Sequence, residues 1–232
     1  MPSKKNTIII VAAHPDDEVL GCGGSIAKWT QSGDDVHVLI LAEGATARDK
    51  RRDGDKRKSE LTHLANSAHE AGDILGVKSV NLLNLPDNRM DSLDLLNVVK
   101  EVEQFIEKLQ PKVVVTHHGG DLNVDHQIVH QAVITACRPQ PGYPVKRILF
   151  FEVSSATEWQ STTAGNTFVP NWFEDISETM DMKIKALEAY KSEMRNWPHA
   201  RSIKAVEHLA RWRGASMGYE AVEAFMLVRE IR

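Results

Sequence analysis

The 232-residue sequence lacks the features that define several large classes of protein. It has two cysteines, Cys22 and Cys137, which is too few for a disulfide framework, and it contains no CxxC pair for a structural zinc site. None of its apolar runs is long enough to cross a membrane. A net charge of −4 gives no basic surface of the kind that binds nucleic acid or an anionic membrane. We therefore expect neither a membrane span nor a nucleic-acid partner.

The amino-terminal segment carries no targeting signal. MPSKKN precedes the apolar run TIIIVAA, which is too short for a signal peptide and has no cleavage-site pattern after it. The sequence thus predicts a cytoplasmic protein in which Cys22 and Cys137 are small buried residues. Hydrophobic residues make up 42% of the chain, which is enough for a full core. No repeat or linker is visible, so we expect one domain, 1–232; a homo-oligomer is compatible with the sequence.

Strand and helix patterns alternate through the first two thirds of the chain. Five apolar, β-branched runs are typical of strands buried on both faces. These runs are Thr7–Ala13, Asp35–Ala42, Ser79–Leu85, Lys112–His117 and Lys146–Val153. Amphipathic helical patterns separate them, at Val19–Ser32, Lys58–Leu75, Ser92–Leu109 and Asp125–Ala136. The alternation predicts an α/β fold with a mainly parallel, doubly wound sheet in the order 3-2-1-4-5.

The remaining segments are harder to assign. Gly44–Lys58 is rich in charge and is either a solvated surface or a loop at the carboxyl ends of the strands. Ser154–Pro170 is a lid, an oligomer contact or an ordinary insertion. The last segments read as two helices and an apolar stretch, at Met180–Met194, Ala200–Arg213 and Ala221–Val228.

The first strand runs directly into His14-Pro15-Asp16-Asp17-Glu18. Three consecutive carboxylates at the end of a buried strand are costly unless their charge is compensated, and a divalent cation would compensate it. If a helix begins near Pro15, His14 and Asp17 lie one turn apart and reach a common point. Asp16 then faces elsewhere, and the helix dipole favours the ionised form of both aspartates. Capping alone is the alternative, but it does not explain a histidine together with three acids.

A second group of histidines and aspartates follows the fourth strand, in the segment THHGGDLNVDHQIVH. In the expected strand order, strands 1 and 4 flank the switch point at which open parallel sheets bind ligands. His126 therefore lies across a crevice from His14 and Asp17. This position favours a metal site over a capping or core role for His126.

These motifs together resemble the zinc-dependent LmbE/PIG-L family of N-acetylglucosaminyl deacetylases over nearly the whole chain. The resemblance rests on AHPDDE with VLGCGG, LPDNRMD, the downstream DH pair, and the tail segments KALEAY, RSIKAVEHLARWRG and EAVEAF. It implies a Rossmann-like three-layer sandwich that binds Zn²⁺ through His14, Asp17 and His126, with Asp16 as the general base. The expected substrate is a small N-acetylated amino sugar or its conjugate. The sequence does not choose between zinc and ferrous iron.

One position departs from the family pattern. Many members have HPDH at the second motif, and its first histidine stabilises the tetrahedral oxyanion; here the segment reads NVDH and Asn123 occupies that position. An amide can donate to an oxyanion but cannot transfer a proton, and the alternative is that Asn123 only caps the next helix. The histidines that could take over the proton transfer are His117, His118 and His199.

Three further residues are candidates for supporting roles. Asp125 is expected to orient His126, since ligating histidines commonly contact a carboxylate through their second nitrogen. Asp87 matches an acid that binds sugar hydroxyls in the family. Arg48 suits an anionic group on the substrate, because guanidinium recognises anions in a bidentate manner. For Asp87 and Arg48 a surface turn or an ion pair is the alternative.

Two other functions remain open. A zinc amidase acting on a different N-acyl small molecule would need the same residues. A non-catalytic sugar- or nucleotide-binding module would keep the fold, but binding alone does not need a free base such as Asp16 beside three ligands. The residues therefore favour an enzyme.

Overall fold

The apolar runs of the sequence form the strands of a seven-stranded sheet. The computed structural model describes residues 5–161, 163 and 165–232. The strands are β1 (Thr7–Ala12), β2 (Asp35–Ala42), β3 (Ser79–Leu85), β4 (Val113–His117), β5 (Arg147–Phe151), β6 (Trp172–Asp175) and β7 (Val222–Glu230). The α-helices in the described residues are α1 (Asp17–Gln31), α2 (Lys58–Leu75), α3 (Leu95–Leu109), α4 (Val124–Ala136), α5 (Met180–Ala189) and α6 (Ile203–Met217).

The strand order is β3-β2-β1-β4-β5-β7-β6, which confirms the predicted order of the first five strands. Those five strands pair in parallel. The apolar segment near the end of the chain forms β7, which pairs antiparallel with both β5 and β6. The sheet is thus mainly parallel, with an antiparallel extension at one edge.

Alternate residues of each strand point into two separate cores. Ile8 and Ile10 of β1 pack with α1, α2, α5 and α6, whereas Ile9 and Val11 pack with α3 and α4. These side chains are almost completely buried, as the continuous apolar run requires. Helices on both faces of a mainly parallel sheet confirm the three-layer α/β sandwich.

Two of the helices begin later than the sequence predicts. α2 has the predicted bounds, with Gly76 in the left-handed conformation after it. α3 begins later than predicted because Met90–Ser92 forms a separate 3₁₀ turn. α6 begins at Ile203, since the hydroxyl of Ser202 accepts the N–H of Ala205 and caps the helix there.

Helix α1 lies close to the sheet and is interrupted one turn after its start. A Cβ atom at Gly21 would overlap the ring of Phe151 on β5, so this glycine allows α1 to approach the sheet closely. The backbone at Cys22 is not helical (φ −151°, ψ 26°). Beyond this interruption the N–H groups of Gly24 and Ser25 donate to the carboxylate of Glu223 on β7, at 3.0 and 2.7 Å.

Lys183 of α5 completes this contact. Its ammonium donates to Glu223 at 2.5 Å and to the carbonyl of Leu20 at 2.9 Å. Both charged side chains are only 4% exposed. The ion pair joins α1, α5 and β7 directly behind the HPDDE segment.

One prediction concerns a segment that the structure describes only in part. Thr162 and Ala164, within the segment 154–170, lie outside the described residues. The interpretation of this segment as a lid or an oligomer contact stays a prediction.

No helix in the described residues is long and apolar enough to cross a membrane.

We predict that Lys183→Met lowers the free energy of unfolding by about 3 to 5 kcal/mol, because it leaves Glu223 buried without a counter-charge. The matched control is Lys100→Met, since Lys100 pairs with Glu103 on the surface and is 61% exposed. That change should cost less than about 0.5 kcal/mol. Urea unfolding of both variants measures the difference, and equal losses would contradict a structural role for the buried pair.

Candidate active site

The candidate site lies where β1 and β4 end, at the predicted switch point of the sheet. Val11 of β1 is in register with Thr116 of β4, so the residues that follow both strands meet. The N–H of Ala13 donates to Nε2 of His117 at 2.8 Å, which joins the two strand ends. The loop between β2 and α2 also reaches this edge, because the N–H of Ala47 donates to Asp87 at 2.9 Å. Of the two interpretations of Gly44–Lys58, the structure supports the loop at the carboxyl ends of the strands.

Asp16 holds an unusual backbone conformation at the start of α1. Its φ is 112°, which is sparsely populated for residues other than glycine. Glu18 stabilises this turn, because one of its carboxylate oxygens accepts the N–H of Asp16 at 3.1 Å. The other oxygen accepts the hydroxyl of the buried Tyr190 at 2.6 Å. Glu18 therefore positions the backbone from which Asp16 and Asp17 diverge.

The three predicted metal ligands come together. Nδ1 of His14 lies 3.2 Å from Oδ2 of Asp17, and Nε2 of His126 lies 3.1 Å from the same oxygen. All three residues are buried, and their ligand atoms lie within 4.8 Å of one another. Among the described residues, Oδ1 of Asp17 and Nε2 of His126 are buried without a hydrogen-bond partner. Buried polar atoms of this kind call for an unseen partner, and a cation would satisfy both.

Each histidine of this cluster has a carboxylate at its second nitrogen. Nε2 of His14 donates to Asp125 at 3.0 Å, and Nδ1 of His126 lies 3.2 Å from Oδ2 of Asp121. The prediction that Asp125 orients His126 is therefore wrong. Asp125 instead contacts His14, and Asp121 faces His126. The reason is geometric, since Asp125 precedes His126 in the first turn of α4 and points to the other side of the crevice.

Asp125 and Asp121 are themselves held in place. Asp125 accepts the N–H groups of Asn88 and Met90, at 2.6 and 3.0 Å. Asp121 accepts the hydroxyl of Thr157 at 2.8 Å. These contacts fix the carboxylates that orient the two rings, as in many metal sites.

The charges in the cluster support one another. Burial alone would lower the pKa of His14, but hydrogen bonds to Asp125 and Asp17 raise it well above its usual value. Burial also opposes charge on His126, yet Asp17 and Asp121 raise its pKa to about 9. Burial would raise the pKa of Asp17, but the charge of His126 lowers it well below the usual range. The cluster thus favours positive charge at the ligand nitrogens, which is the charge that a cation would bring.

Asp16 is not one of the three predicted ligands, and its carboxylate contacts Arg201. Nη1 of Arg201 donates to Oδ2 of Asp16 at 2.9 Å. Burial raises the pKa of Asp16 to about 7, although the charge of Arg201 acts in the opposite direction. The helix dipole was expected to keep both acids ionised. The lowered pKa of Asp17 agrees with this, whereas the cost of desolvation, which the expectation left out, raises the pKa of Asp16.

The two predicted substrate contacts have different surroundings. Asp87 is buried, and its Oδ1 lies 3.4 Å from Nε2 of His14, so it belongs to the site. Arg48 lies at the rim and is 45% exposed. Both of its terminal nitrogens are already paired, one with Glu193 at 2.9 Å and the other with Glu60 at 3.2 Å. An anion would therefore have to compete with these carboxylates for Arg48.

Asn123 acts as the N-cap of α4. Its Oδ1 accepts the N–H groups of Asp125 and His126, and its Nδ2 donates to Asn88 at 2.9 Å. The capping alternative thus describes the observed contacts, and one of the two N–H donors of the Asn123 amide is engaged with Asn88.

The three alternative histidines are also engaged with the backbone. Nε2 of His117 accepts the N–H of Ala13, and burial lowers its pKa well below the usual value. Nε2 of His118 faces the carbonyl of Asn166 at 3.0 Å, and Nδ1 of His199 accepts the N–H of Arg201 at 3.0 Å. His117 also stacks on His126 with ring centroids 3.9 Å apart, so it packs the ligand ring in place.

Sequence reasoning missed Asp121 and Arg201. Asp121 stands within the predicted THHGGDLNVDH motif, but nothing in the motif selects it over Asp125 as the partner of His126. Arg201 lies 185 residues from Asp16 and reaches it from the segment before α6, so no local pattern could reveal the contact.

The fold and the ligand cluster define a class of α/β protein with a metal-type site at the sheet's switch point. Residues 9–137 match the family model described as PIG-L, GlcNAc-PI de-N-acetylase. The chain belongs to this family, also known as LmbE-like, which confirms the resemblance inferred from the motifs.

Relatives and solved structures agree with this assignment. The chain is 32% identical to the uncharacterized deacetylase YaiS of Escherichia coli K12, over 82% of this chain and 93% of that protein. It is 28% identical to the diacetylchitobiose deacetylase of Thermococcus kodakarensis, over 80% of this chain and 69% of that protein. A solved structure with the same fold is the 4-carboxy-2-hydroxymuconate hydratase GalB of Pseudomonas putida KT2440, with a TM-score of 0.77, 21% identity and 98% of each chain covered.

We predict that Asn123→Ala lowers stability by about 1 kcal/mol, the usual cost of a lost N-cap, and changes turnover of the folded protein less than about threefold. Asn123→Ser is the matched control, because serine retains a capping oxygen but has no amide donor. Thermal unfolding and turnover measured on one preparation test this. A large loss of turnover in both variants would instead support the predicted catalytic role of Asn123.

Proposed function

We propose that this chain is a metal-dependent N-deacetylase that removes the acetyl group from an N-acetylated amino sugar or its conjugate. The observation that carries the proposal is the convergence of His14, Asp17 and His126 at the switch point, with a separate carboxylate, Asp16, beside them. Family membership and the 28% identity to a diacetylchitobiose deacetylase support the amino-sugar class. We also propose that residues 1–232 act as one catalytic domain, because one sheet includes strands from β1 to β7.

The donor set fits a divalent cation, which we propose to be zinc. Two imidazoles and one carboxylate form a common catalytic zinc site and leave a coordination position open. A cation bound there would supply Lewis-acid activation of water and of the amide carbonyl. Ferrous iron accepts the same donors, so elemental analysis of the purified protein decides between the two metals.

A second set of buried groups, His14, Asp87 and Asp125, also lies within 4.8 Å. We assign it a supporting role rather than a second cation site. Asp125 accepts two backbone N–H groups, from Asn88 and Met90, and Asp87 accepts the N–H of Ala47. These carboxylates therefore already have donors and hold His14 in place, while Asp87 remains the proposed contact for a sugar hydroxyl.

Asp16 is the proposed general base. It takes one proton from the attacking water as the water oxygen bonds to the acetyl carbon. The bond between that carbon and the amide nitrogen then breaks, and Asp16 returns the proton to the nitrogen. The products are the free amine and acetate. Asp16 suits this task because it is buried, lies next to the ligand cluster and is not needed to complete it.

The proposed function is tested by measuring acetate release when the zinc-loaded protein is incubated with a panel of N-acyl compounds. The panel contains N-acetylglucosamine, diacetylchitobiose, a nucleotide-linked N-acetylglucosamine, and N-acyl amides without a sugar. We expect turnover of at least one of the acetylated sugars. Turnover of the non-sugar amides alone would support the amidase instead, and no turnover of any compound would favour a binding module.

We predict that His126→Ala loses bound metal and activity together, because two remaining ligands form a weak site. The matched control is His130→Gln, one turn further along α4, where the histidine ring faces the carbonyl of His117 rather than the cluster. The control should keep its metal. Elemental analysis after zinc loading measures both variants, and a full complement of metal in His126→Ala would remove His126 from the ligand set.

We predict that Asp16→Asn keeps its metal and loses at least about 100-fold in turnover, the usual effect of removing a general base. The neighbouring change Asp17→Asn should lose the metal, since Asp17 is a proposed ligand. Metal content and turnover of the pair separate the two roles. If Asp16→Asn lost its metal, the division of tasks between the two aspartates would be wrong.

A further inference from the structure

We infer that Arg201 is a catalytic residue that donates a hydrogen bond to the carbonyl oxygen of the scissile acetamide. This inference rests on the proposed deacetylase function and names a residue beyond the family motifs. Arg201 would stabilise the negative charge that develops on this oxygen, in place of the histidine that Asn123 replaces.

The guanidinium of Arg201 lies between the proposed base and the ligand cluster. Nη1 donates to Oδ2 of Asp16 at 2.9 Å, and Nη2 lies 4.0 Å from Oδ1 of Asp17. The side chain is 22% exposed, whereas the carboxylates of Asp16 and Asp17 are almost completely buried. Arg201 is thus the most exposed of these three charged side chains.

Arg201 has hydrogen-bond donors to spare. A guanidinium carries five N–H donors. Within the described residues its side chain makes two hydrogen bonds, from Nη1 to Asp16 and from Nε to the hydroxyl of Ser155 at 2.9 Å. Nη2 makes none among those residues. A charged nitrogen with unused donors is therefore available at the mouth of the site.

The reaction develops negative charge close to Arg201. The acetyl carbon must lie near both the base and the metal-type cluster if water is to attack it. Its carbonyl oxygen consequently comes close to Arg201, which contacts Asp16 and lies 4.0 Å from Asp17. As the carbon becomes tetrahedral, the π electron pair moves onto this oxygen, and it returns when the C–N bond breaks. Arg201 only donates a hydrogen bond and keeps its proton throughout.

The backbone holds Arg201 in position. Its N–H donates to Nδ1 of His199 at 3.0 Å, and its carbonyl accepts the N–H of Arg195 at 3.2 Å. The next residue, Ser202, caps α6. A donor fixed in this way needs little rearrangement when charge develops, which makes electrostatic stabilisation effective.

The main test compares Arg201→Lys with Arg213→Lys on whichever acetylated sugar the wild-type protein cleaves. Lysine can still pair with Asp16, but it cannot span from Asp16 to a second acceptor as the forked guanidinium does. We expect kcat of Arg201→Lys to fall about 100-fold, as for the loss of one oxyanion donor, with little change in KM and in metal content.

Arg213→Lys is the matched control. Arg213 is 23% exposed and forms a bidentate pair with Glu152. Within the part of the chain that the structure describes, it makes no hydrogen bond or ion pair with the cluster residues. Its kcat should stay within about twofold of wild type, as for a change away from the site. If Arg201 served only to hold Asp16, the lysine variant would also keep near wild-type kcat, and that result would overturn the inference.

A second measurement does not depend on turnover. Acetate, the proposed product, carries an oxygen where the carbonyl oxygen was, so its affinity reports the same contact. We expect the acetate dissociation constant, measured by NMR line broadening on metal-loaded and metal-stripped protein, to rise about tenfold in Arg201→Lys and to stay unchanged in Arg213→Lys. An unchanged constant in Arg201→Lys overturns the inference.

The two measurements also separate this inference from the proposed function. If the wild-type protein cleaves no acetylated sugar, the deacetylase proposal fails, while the acetate titration still decides whether Arg201 binds a carbonyl or carboxylate oxygen. If the wild type is active and both Arg201→Lys readouts match it, the deacetylase proposal stands and the role of Arg201 is rejected.

Discussion

The buried charge of Asp17 is the constraint on which the site depends. Its side chain is completely shielded from water, at a depth where a carboxylate without partners is strongly unfavourable. Oδ2 accepts the N–H of His14 at 2.9 Å and faces the rings of His14 and His126. The compensating groups come from the end of β1 and from α4, which are far apart in the chain. Keeping Asp17 charged therefore requires the sheet order that brings β1 and β4 together.

The same requirement extends outward to the groups behind the histidines. A ring that shares a proton or a cation with Asp17 needs a negative group at its other nitrogen. Asp125 lies at this position for His14, and Asp121 lies there for His126. Asp125 in turn orders the backbone after β3, because it accepts the N–H groups of Asn88 and Met90. The loops at this edge of the sheet are thus held by the charges of the site. Such support preorganises the ligand atoms before a cation or a substrate arrives.

The sequence could predict the parts of this arrangement that depend on local spacing or strand order. His14 and Asp17 lie one turn apart, and the doubly wound order places His126 opposite them. It could not predict which carboxylate faces which ring, because Asp121 and Asp125 stand in the same motif and differ only in the direction of their side chains. The sequence could also not predict that Arg201 belongs to the site, since its contact with Asp16 depends on how the segment before α6 packs. The sequence could not predict the raised pKa of Asp16 for a related reason, because burial depends on tertiary packing.

The fold of this chain does not by itself select a reaction. A hydratase shares the fold over 98% of each chain, so the sheet and its switch point do not by themselves select the reaction. At the rim of this chain, Arg48 pairs with Glu193. Burial raises the pKa of Asp16, and the charge of Arg201 lowers it. The charge of Glu193 also raises this pKa. Any anionic group that drew Arg48 away from Glu193 would leave that negative charge less compensated and alter the field at Asp16. The pair of Arg48 and Glu193 thus links the charge at the rim of the site to the protonation of Asp16.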